Sequence, residues 1–523
     1  MHSRFIFVPL ILLPGYFPQE PSGTSAGVLV AQATAAREHQ QKGVDYARHG
    51  DWESAEVELR QAAKLAPDDP QILAALGGVL GTEHKVAEAA SYLEKAVQLA
   101  PDNAVMRCNL ARSQWQLGKL PEARQNLERV LKANGKDTQA RFLLGIVAED
   151  MGDYATAVEL LGSASSVLWN DPAAAAALAS AYYHTDKIEE ARAYLQTILE
   201  KEQPETIFAT ARIAADSSDF GLAEKMFLSI RSSYPDRASL GYELALAQYH
   251  EEHFADGQAT LSELVAGGQA TGDVHNLLGW CFQKEGKTKE ATSELELAIR
   301  LEPTKEVHYL DLARIFLANA NPGAALNVTR RTVDIFPASD KAWLLQGSIE
   351  IGLQNFTDAV KSYTAAVRLK KNDVEPARAL ATAQWLAGMV KEAQATFQDL
   401  LIRFPRDAES YAAYGALLVG DSASTEGDVN RGAKLLETAL SLDASLPEPH
   451  YYLGNLALRN GDMDLALRQL KAAVKLNPAS SKTHFALSKA LKRQGRAEEG
   501  AEELRVYQET KAAEERMWKR PSN

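Results

Sequence analysis

Residues 23–27, Gly23-Thr24-Ser25-Ala26-Gly27, have the G-x-S-x-G spacing of a nucleophile elbow. Such an elbow lifts a serine hydroxyl on a strained strand-to-helix turn, with an acid and a histidine later in the chain. Here the motif falls in a leader-like segment, so it does not point to acyl transfer. Gly286-Lys287-Thr288 has the ending of a phosphate-binding loop, but the glycine that must precede it would stand at 281, which is Cys281. His250-Glu251-Glu252-His253 sets two imidazoles three apart, whereas a zincin helix sets them four apart on one face. Asn327-Val328-Thr329 and Asn355-Phe356-Thr357 fit a glycosylation sequon, which matters only in a eukaryotic host. Cys108 and Cys281 are the only cysteines. No catalytic, cofactor-binding or metal-binding residue is assigned, and the chain reads as a non-enzyme.

The elements that would have to position any such chemistry are uniform. Ala55, Ala89, Ala123 and Ala157 fall 34 residues apart, as do Ala291, Ala325, Ala359 and Ala393. A 34-residue period with small residues on the beat describes stacked helical hairpins, each burying its apolar face on its neighbours. A Gly or Ala is expected where two helices cross closely, because a larger side chain there overpacks by about 1–3 kcal/mol. Gly50 and Gly286 mark the point where the chain leaves a first helix with positive φ. Pro67, Pro101, Pro303 and Pro478 stop second helices.

These marks resemble the tetratricopeptide repeat (TPR). Gly43, Tyr46, Gly50, Ala55, Leu59, Ala62 and Pro67 fill its positions in residues 36–69, and Gly77, Ala89, Leu93, Ala96 and Pro101 do so in 70–103. Gly279, Phe282, Gly286, Ala291, Leu295, Ala298 and Pro303 repeat the pattern, as do Gly454, Gly461, Ala466, Leu470, Ala473 and Pro478. Trp343 occupies the fourth position of its repeat, where the family favours tryptophan. About fourteen repeats follow, starting near 36, 70, 104, 138, 172, 204, 238, 272, 306, 340, 374, 408, 447 and 481. The resemblance implies an all-α fold, a right-handed superhelical α-solenoid of helix-turn-helix hairpins. The fifth repeat is about two residues short, tightening the chain at Pro204. The twelfth carries about five extra residues in 420–432, expected as a polar, Gly-rich loop, with Gly432 replacing Ala as a tolerable change. The ninth has Thr329 where an aromatic is usual.

The resemblance also implies a binding surface. The second, fifth, ninth and twelfth positions of each repeat, all on the first helix, line the concave face of such a stack. Here those columns hold Trp115, Tyr183, Tyr249 and Trp385 at the twelfth position, and Phe142, Phe208, Tyr242, Tyr451 and Phe485 at the fifth. Trp280, Arg112, Arg212 and Arg314 hold the ninth, and Arg378 a fifth. Rigid aromatics interleaved with arginine have the composition of binding hot spots. The competing reading is that the twelfth-position rings pack on the next repeat. The lysine–asparagine clamp of chaperone-binding TPRs is not matched, since Asn109 is flanked by Ala74 and Gly78 before it and Gln139 and Leu143 after it.

A formal charge of −13 argues against a nucleic-acid partner, which needs a basic track to displace counterions. Arg4, the apolar run Phe5–Leu13 and the exit Ala31-Gln32-Ala33 read as a secretory signal peptide over residues 1–33. The run is too short to span a bilayer. Cleavage would leave Thr34 first, with an uncleaved amino-terminal membrane anchor as the alternative. The repeats then fill 34–507, and 508–523 form a charged helix and tail capping the last hairpin, with Met517 or Trp518 turned inward. The expectation is an exported, periplasmic or secreted scaffold that holds a protein or peptide in its concave groove, in cell-envelope assembly or export. It has no cofactor and no stable membrane insertion after cleavage. The alternative is a substrate-recruiting or regulatory subunit of a separate hydrolase or glycosyltransferase.

Overall fold

The computed structural model describes residues 26–163, 171–201 and 203–518, with side chains from 31 to 516. The apolar leader, Gly23–Ser25 and the side chains of Met517 and Trp518 lie outside the described residues. Among the described residues there are 28 helices and no strand. The chain forms two compact units, Met1–Thr260 and Leu261–Asn523.

The first unit holds α1 (Ala26–Arg48), α2 (Trp52–Leu65), α3 (Pro70–Thr82), α4 (Val86–Leu99), α5 (Ala104–Gln116), α6 (Leu120–Ala133), α7 (Thr138–Asp150), α8 (Tyr154–Gly162), α9 (Pro172–His184), α10 (Ile188–Leu199), α11 (Pro204–Asp216), α12 (Phe220–Ser229) and α13 (Arg237–His250). The boundary falls within α14 (Phe254–Ala266). The second unit continues with α15 (Gly272–Lys284), α16 (Thr288–Leu301), α17 (Glu306–Ala318), α18 (Pro322–Ile335), α19 (Asp340–Gly352), α20 (Phe356–Leu369), α21 (Val374–Leu386), α22 (Val390–Arg403), α23 (Ala408–Gly420), α24 (Glu426–Leu442), α25 (Pro447–Asn460), α26 (Met463–Leu476), α27 (Ser481–Arg493) and α28 (Ala497–Trp518). These make fourteen hairpins at the spacing the period requires.

Local chemistry sets the helix ends. Asp69, Asp137, Asp171, Asp236 and Asp407 each cap a first helix by accepting a backbone N–H within its first turn. Second helices end at residues such as Ala66 and Ala100, just ahead of a proline that cannot continue them. The turn inside each hairpin needs one residue in the left-handed region. Gly50, Gly118, Gly152, Gly286, Gly388, Gly461 and Gly495 supply it, but His84, Asp186, Ser218, Glu252, Ala320 and Gln354 adopt the same conformation at the equivalent position. Only the twelfth hairpin departs.

That hairpin differs from the expectation. Residues 426–432 are not loop but the opening of α24, which is 17 residues long, against 14 for α22 and α26. Thr425 and Asp428 form a reciprocal capping box that starts the helix early. Gly432 is more than tolerable. A Cβ there would stand 2.9 Å from Leu418 Cβ and Val419 Cγ2, and one on Gly415 would stand 2.8 Å from the Gly432 carbonyl oxygen. In the fifth hairpin the missing residues come out of α10, which has 12 residues. Thr329 is fully buried in an ordinary ninth hairpin and donates to the Leu326 carbonyl at 3.1 Å.

The core follows the beat. Ala55, Leu59 and Ala62 in α2, and Ala291, Leu295 and Ala298 in α16, are wholly buried. Polar bonds tie the two helices of a hairpin at fixed offsets. Twelve residues apart, Gln114 pairs with Asn126, Gln248 with Thr260, Glu350 with Ser362 and Gln384 with Thr396, all within 3.0 Å. Nineteen apart, His39, His275 and His484 meet Glu58, Glu294 and Glu503 at 2.6 Å. Each side chain spends its polarity inside its own hairpin, which satisfies buried groups without calling on a distant repeat.

Candidate functional site

All fourteen groove residues named from the sequence lie on first helices, as the register requires. In the first unit most are already engaged. Trp115 is a core side chain, 8% exposed, and its indole N–H donates to Asp150 Oδ2 at 2.5 Å in the following hairpin. The packing reading holds for this residue, and it offers little to a partner. Tyr183 donates to Asp219 Oδ2 at 3.0 Å, and the same oxygen takes Arg192 Nε at 2.7 Å. Burial, then the Asp219 charge, pushes the Tyr183 hydroxyl's pKa up. Phe142 is half-buried against the core. Phe208 stacks on Tyr234 with centroids 4.4 Å apart, and Tyr249 meets Phe254 edge-on at 5.5 Å. Tyr242 is half-buried.

The arginines divide sharply. Arg212 Nε lies 3.1 Å from Glu243 Oε1. Arg314 bonds Asp311 at 2.9 Å. Arg378 bonds Asp407 at 2.8 Å and also reaches Glu409. Burial pushes Asp407 up, but its bonds from Ser410 and the charge and bond of Arg378 hold it below the usual carboxylate range. Three of the four guanidiniums therefore neutralise carboxylates of this chain. Arg112 is the exception, half-buried with no ion pair among the described residues. Desolvation lowers its pKa, with Cys108 and Asp171 opposing.

In the second unit, Trp280 is half-buried beside the α16–α17 core, and Trp385 lies against Gly420, where a Cβ would come 3.5 Å from its ring. Tyr451 meets Tyr452 edge-on at 5.0 Å, and Phe485 is 42% exposed. The residues the sequence reading passed over are lysines in the same columns. Lys482, Lys489 and Lys492 hold the second, ninth and twelfth positions of the last repeat, around Phe485. Their spacing places them in the register as plainly as it places the aromatics and arginines.

The other motifs resolve into structure. His250 stacks on Phe220 at 4.2 Å while His253 bonds Glu224 at 2.9 Å, so the two imidazoles serve different partners. Gly286 is a hairpin turn and Thr288 Oγ1 bonds Asn319 at 2.5 Å at the start of α16. Cys108 and Cys281 are free and buried, and burial pushes both thiols up to about 12. Asp273, Glu302 and His308 bring ligand-type atoms within 4.8 Å of one another. Lys305 Nζ already sits among them, 2.5 Å from Asp273 and 3.2 Å from Glu302, and offsets one of the two carboxylate charges a cation would meet. No helix among the described residues is long and apolar enough to cross a membrane.

Paired helices on a 34-residue register, capped at one end and broken by a left-handed turn at the centre, define a helical-hairpin repeat scaffold. Tetratricopeptide-repeat sequence profiles match residues 41–145, 148–212, 272–305, 310–374 and 417–515, and the chain belongs to the tetratricopeptide-repeat family. No curated protein matches the sequence. Among solved structures, yeast Tom70 is similar at 16% identity and a TM-score of 0.39, covering 93% of this chain and 94% of that one. The Cut9–Hcn1 tetramer of the APC/C gives 15% and 0.37, covering 94% and 97%. A tetratricopeptide-repeat protein from Parabacteroides merdae gives 18% and 0.31, covering 54% and 99%.

Proposed function

We propose that this TPR scaffold is exported and holds a peptide segment or partner protein on its first-helix faces, in cell-envelope assembly or export. The observation that carries the reading is the division of labour along those helices. Trp115 and the paired arginines serve the fold, while Arg112 and three lysines stay outside its ion pairs among the described residues and Phe485 stays exposed. Unpaired cations beside exposed rings have the composition that a partner can use.

Export is supported by the apolar run Phe5–Leu13 and the small-residue exit at Ala31–Ala33. Residues 31–34 of α1 are exposed, and the first buried residue after them is Ala36, where the first repeat begins. Amino-terminal sequencing of the protein from its host tests this part: Thr34 is expected, and an intact Met1 in the cytoplasm would contradict it. Mass spectrometry of proteins copurified from the host tests binding. A stoichiometric partner is expected, and if that partner is a hydrolase or glycosyltransferase, the subunit reading replaces the assembly reading.

A further inference from the structure

The solvent-facing residues of α27 are Lys482, Phe485, Lys489, Lys492 and Arg493; every other residue of that helix is buried. Residues 482, 485, 489 and 492 recur at helical spacing and form one stripe. It contains no acid, in a chain whose carboxylates outnumber its lysines and arginines, 69 to 56. Lys482, Lys489 and Lys492 have no ion pair among the described residues. Instead, Lys482 Nζ sits 4.9 Å from the Tyr451 ring centroid and 5.7 Å from that of Tyr452, and Lys489 Nζ sits 5.4 Å from Phe485. Phe485 in turn meets Tyr507 of α28 at 5.0 Å. Rings therefore orient the ammoniums of Lys482 and Lys489, and none of the three lysines is neutralised by an acid among the described residues.

We infer that this stripe docks an acidic, extended segment of a partner protein. Its carboxylates pair with Lys482, Lys489 and Lys492, and an apolar side chain lies on Phe485 and Tyr507. The inference rests on the reading of first-helix faces as the docking surface and names the partner's chemistry at one end of it. Ten residues of helix separate Lys482 from Lys492, about 15 Å, the reach of about five residues of extended chain. The surroundings select a narrow ligand. The neighbouring α28 is net acidic, its seven glutamates outnumbering Arg505, Lys511 and Arg516. Glu498, Glu499, Glu502, Glu509, Glu514 and Glu515 are exposed there, although Arg496, Arg505 and Lys511 pair with four of them. A broad anionic surface such as a bilayer, or a long polyphosphate, would meet those carboxylates as well as the lysines. A single peptide strand meets the stripe alone, and a ring or aliphatic group in it gains the apolar contact that phosphate cannot use.

The test uses the full chain and a fluorescein-labelled peptide of six glutamates flanking one phenylalanine. The peptide is expected to bind, and replacing its glutamates with glutamine should weaken it at least tenfold. The double variant Lys482→Gln/Lys489→Gln, which keeps helix propensity on exposed positions, should weaken it about tenfold, and Phe485→Ser about fivefold. Circular dichroism should be unchanged in both. Affinity should fall as salt rises from about 50 to about 300 mM. No binding, equal binding of the glutamine peptide, or full affinity in the double variant overturns the inference. So does tighter lysine-dependent binding of oligo-dT or of phosphatidylserine vesicles. Partners that copurify with the double variant undiminished would remove this stripe while leaving the wider scaffold reading intact; absence of any copurified partner would remove that reading.

Discussion

At the scale of single residues, burial decides which side chains remain for function. Arg378 and Asp407 are each about one-fifth exposed and bonded at 2.8 Å. Removing the guanidinium leaves a largely buried carboxylate with one partner fewer. Arg378→Ala should therefore destabilise the second unit by about 1–2 kcal/mol, read as an earlier transition in urea. Arg112→Ala breaks no ion pair and relieves a desolvated charge, so it should leave the transition unmoved while weakening partner binding. The same logic fixes the cysteines. With both thiols pushed up to about 12 by burial, almost no thiolate exists at pH 8. A thiol reagent should react with neither in the folded protein and with both in denaturant. Rapid labelling of the native chain would show that α5 or α15 opens. The aromatic and arginine columns were legible from the register, because the 34-residue period assigns each position to a helix face. Their pairing was not. Arg378 meets an acid 29 residues on and Arg212 one 31 residues on, partners that only the packing of successive hairpins brings close.

At the scale of the hairpin, the repeat tolerates local cost and shows where it can be removed. Ala320 adopts a left-handed φ of 53° at the turn where seven other repeats use glycine. Ala320→Gly should stabilise that hairpin by about 0.5–1 kcal/mol, because glycine escapes the Cβ–carbonyl clash. Slower hydrogen exchange in α17 and α18 would report it, and faster exchange would contradict it. Glu350 in α19 poses the opposite case. Burial pushes its pKa up, with Ser362 and Gln346 bonds and Arg330 pulling down and Asp358 adding to the rise. A carboxyl with a raised folded-state pKa contributes stability below its ordinary pKa and loses it as pH rises through the folded value. Glutamine already fills this position in three other repeats, as Gln114, Gln248 and Gln384. Glu350→Gln would also offer a donor to Gln346 Oε1, which is buried without a partner. The variant should protect α19 and α20 from exchange more than the wild type at pH 7.5, with the gain shrinking toward pH 4. A gain that grows as pH falls would refute this account. The period and the Ala beat made these hairpins readable in advance. The twelfth differs because glycine and polar residues in 420–432 resemble a loop, while the capping box and the close Gly415–Gly432 crossing make most of that stretch helix.

At the scale of the whole molecule, stability is a sum over hairpins and their nearest neighbours, so no single core governs it. Chemical unfolding should accordingly be broad or multi-step, with helical circular dichroism lost in stages. Such a design frees the first-helix faces for recognition, since their exposed side chains can change without disturbing the alanine crossings. The claim that this is their use meets its most direct test in quantitative copurification from the native host. The wild type should be compared with a variant carrying Arg112→Ala, Lys482→Gln, Phe485→Ser and Lys489→Gln. The account predicts at least one partner in near-stoichiometric amount with the wild type, reduced about tenfold or more in the variant at unchanged helicity. Equal recovery of every partner by the two proteins would contradict it.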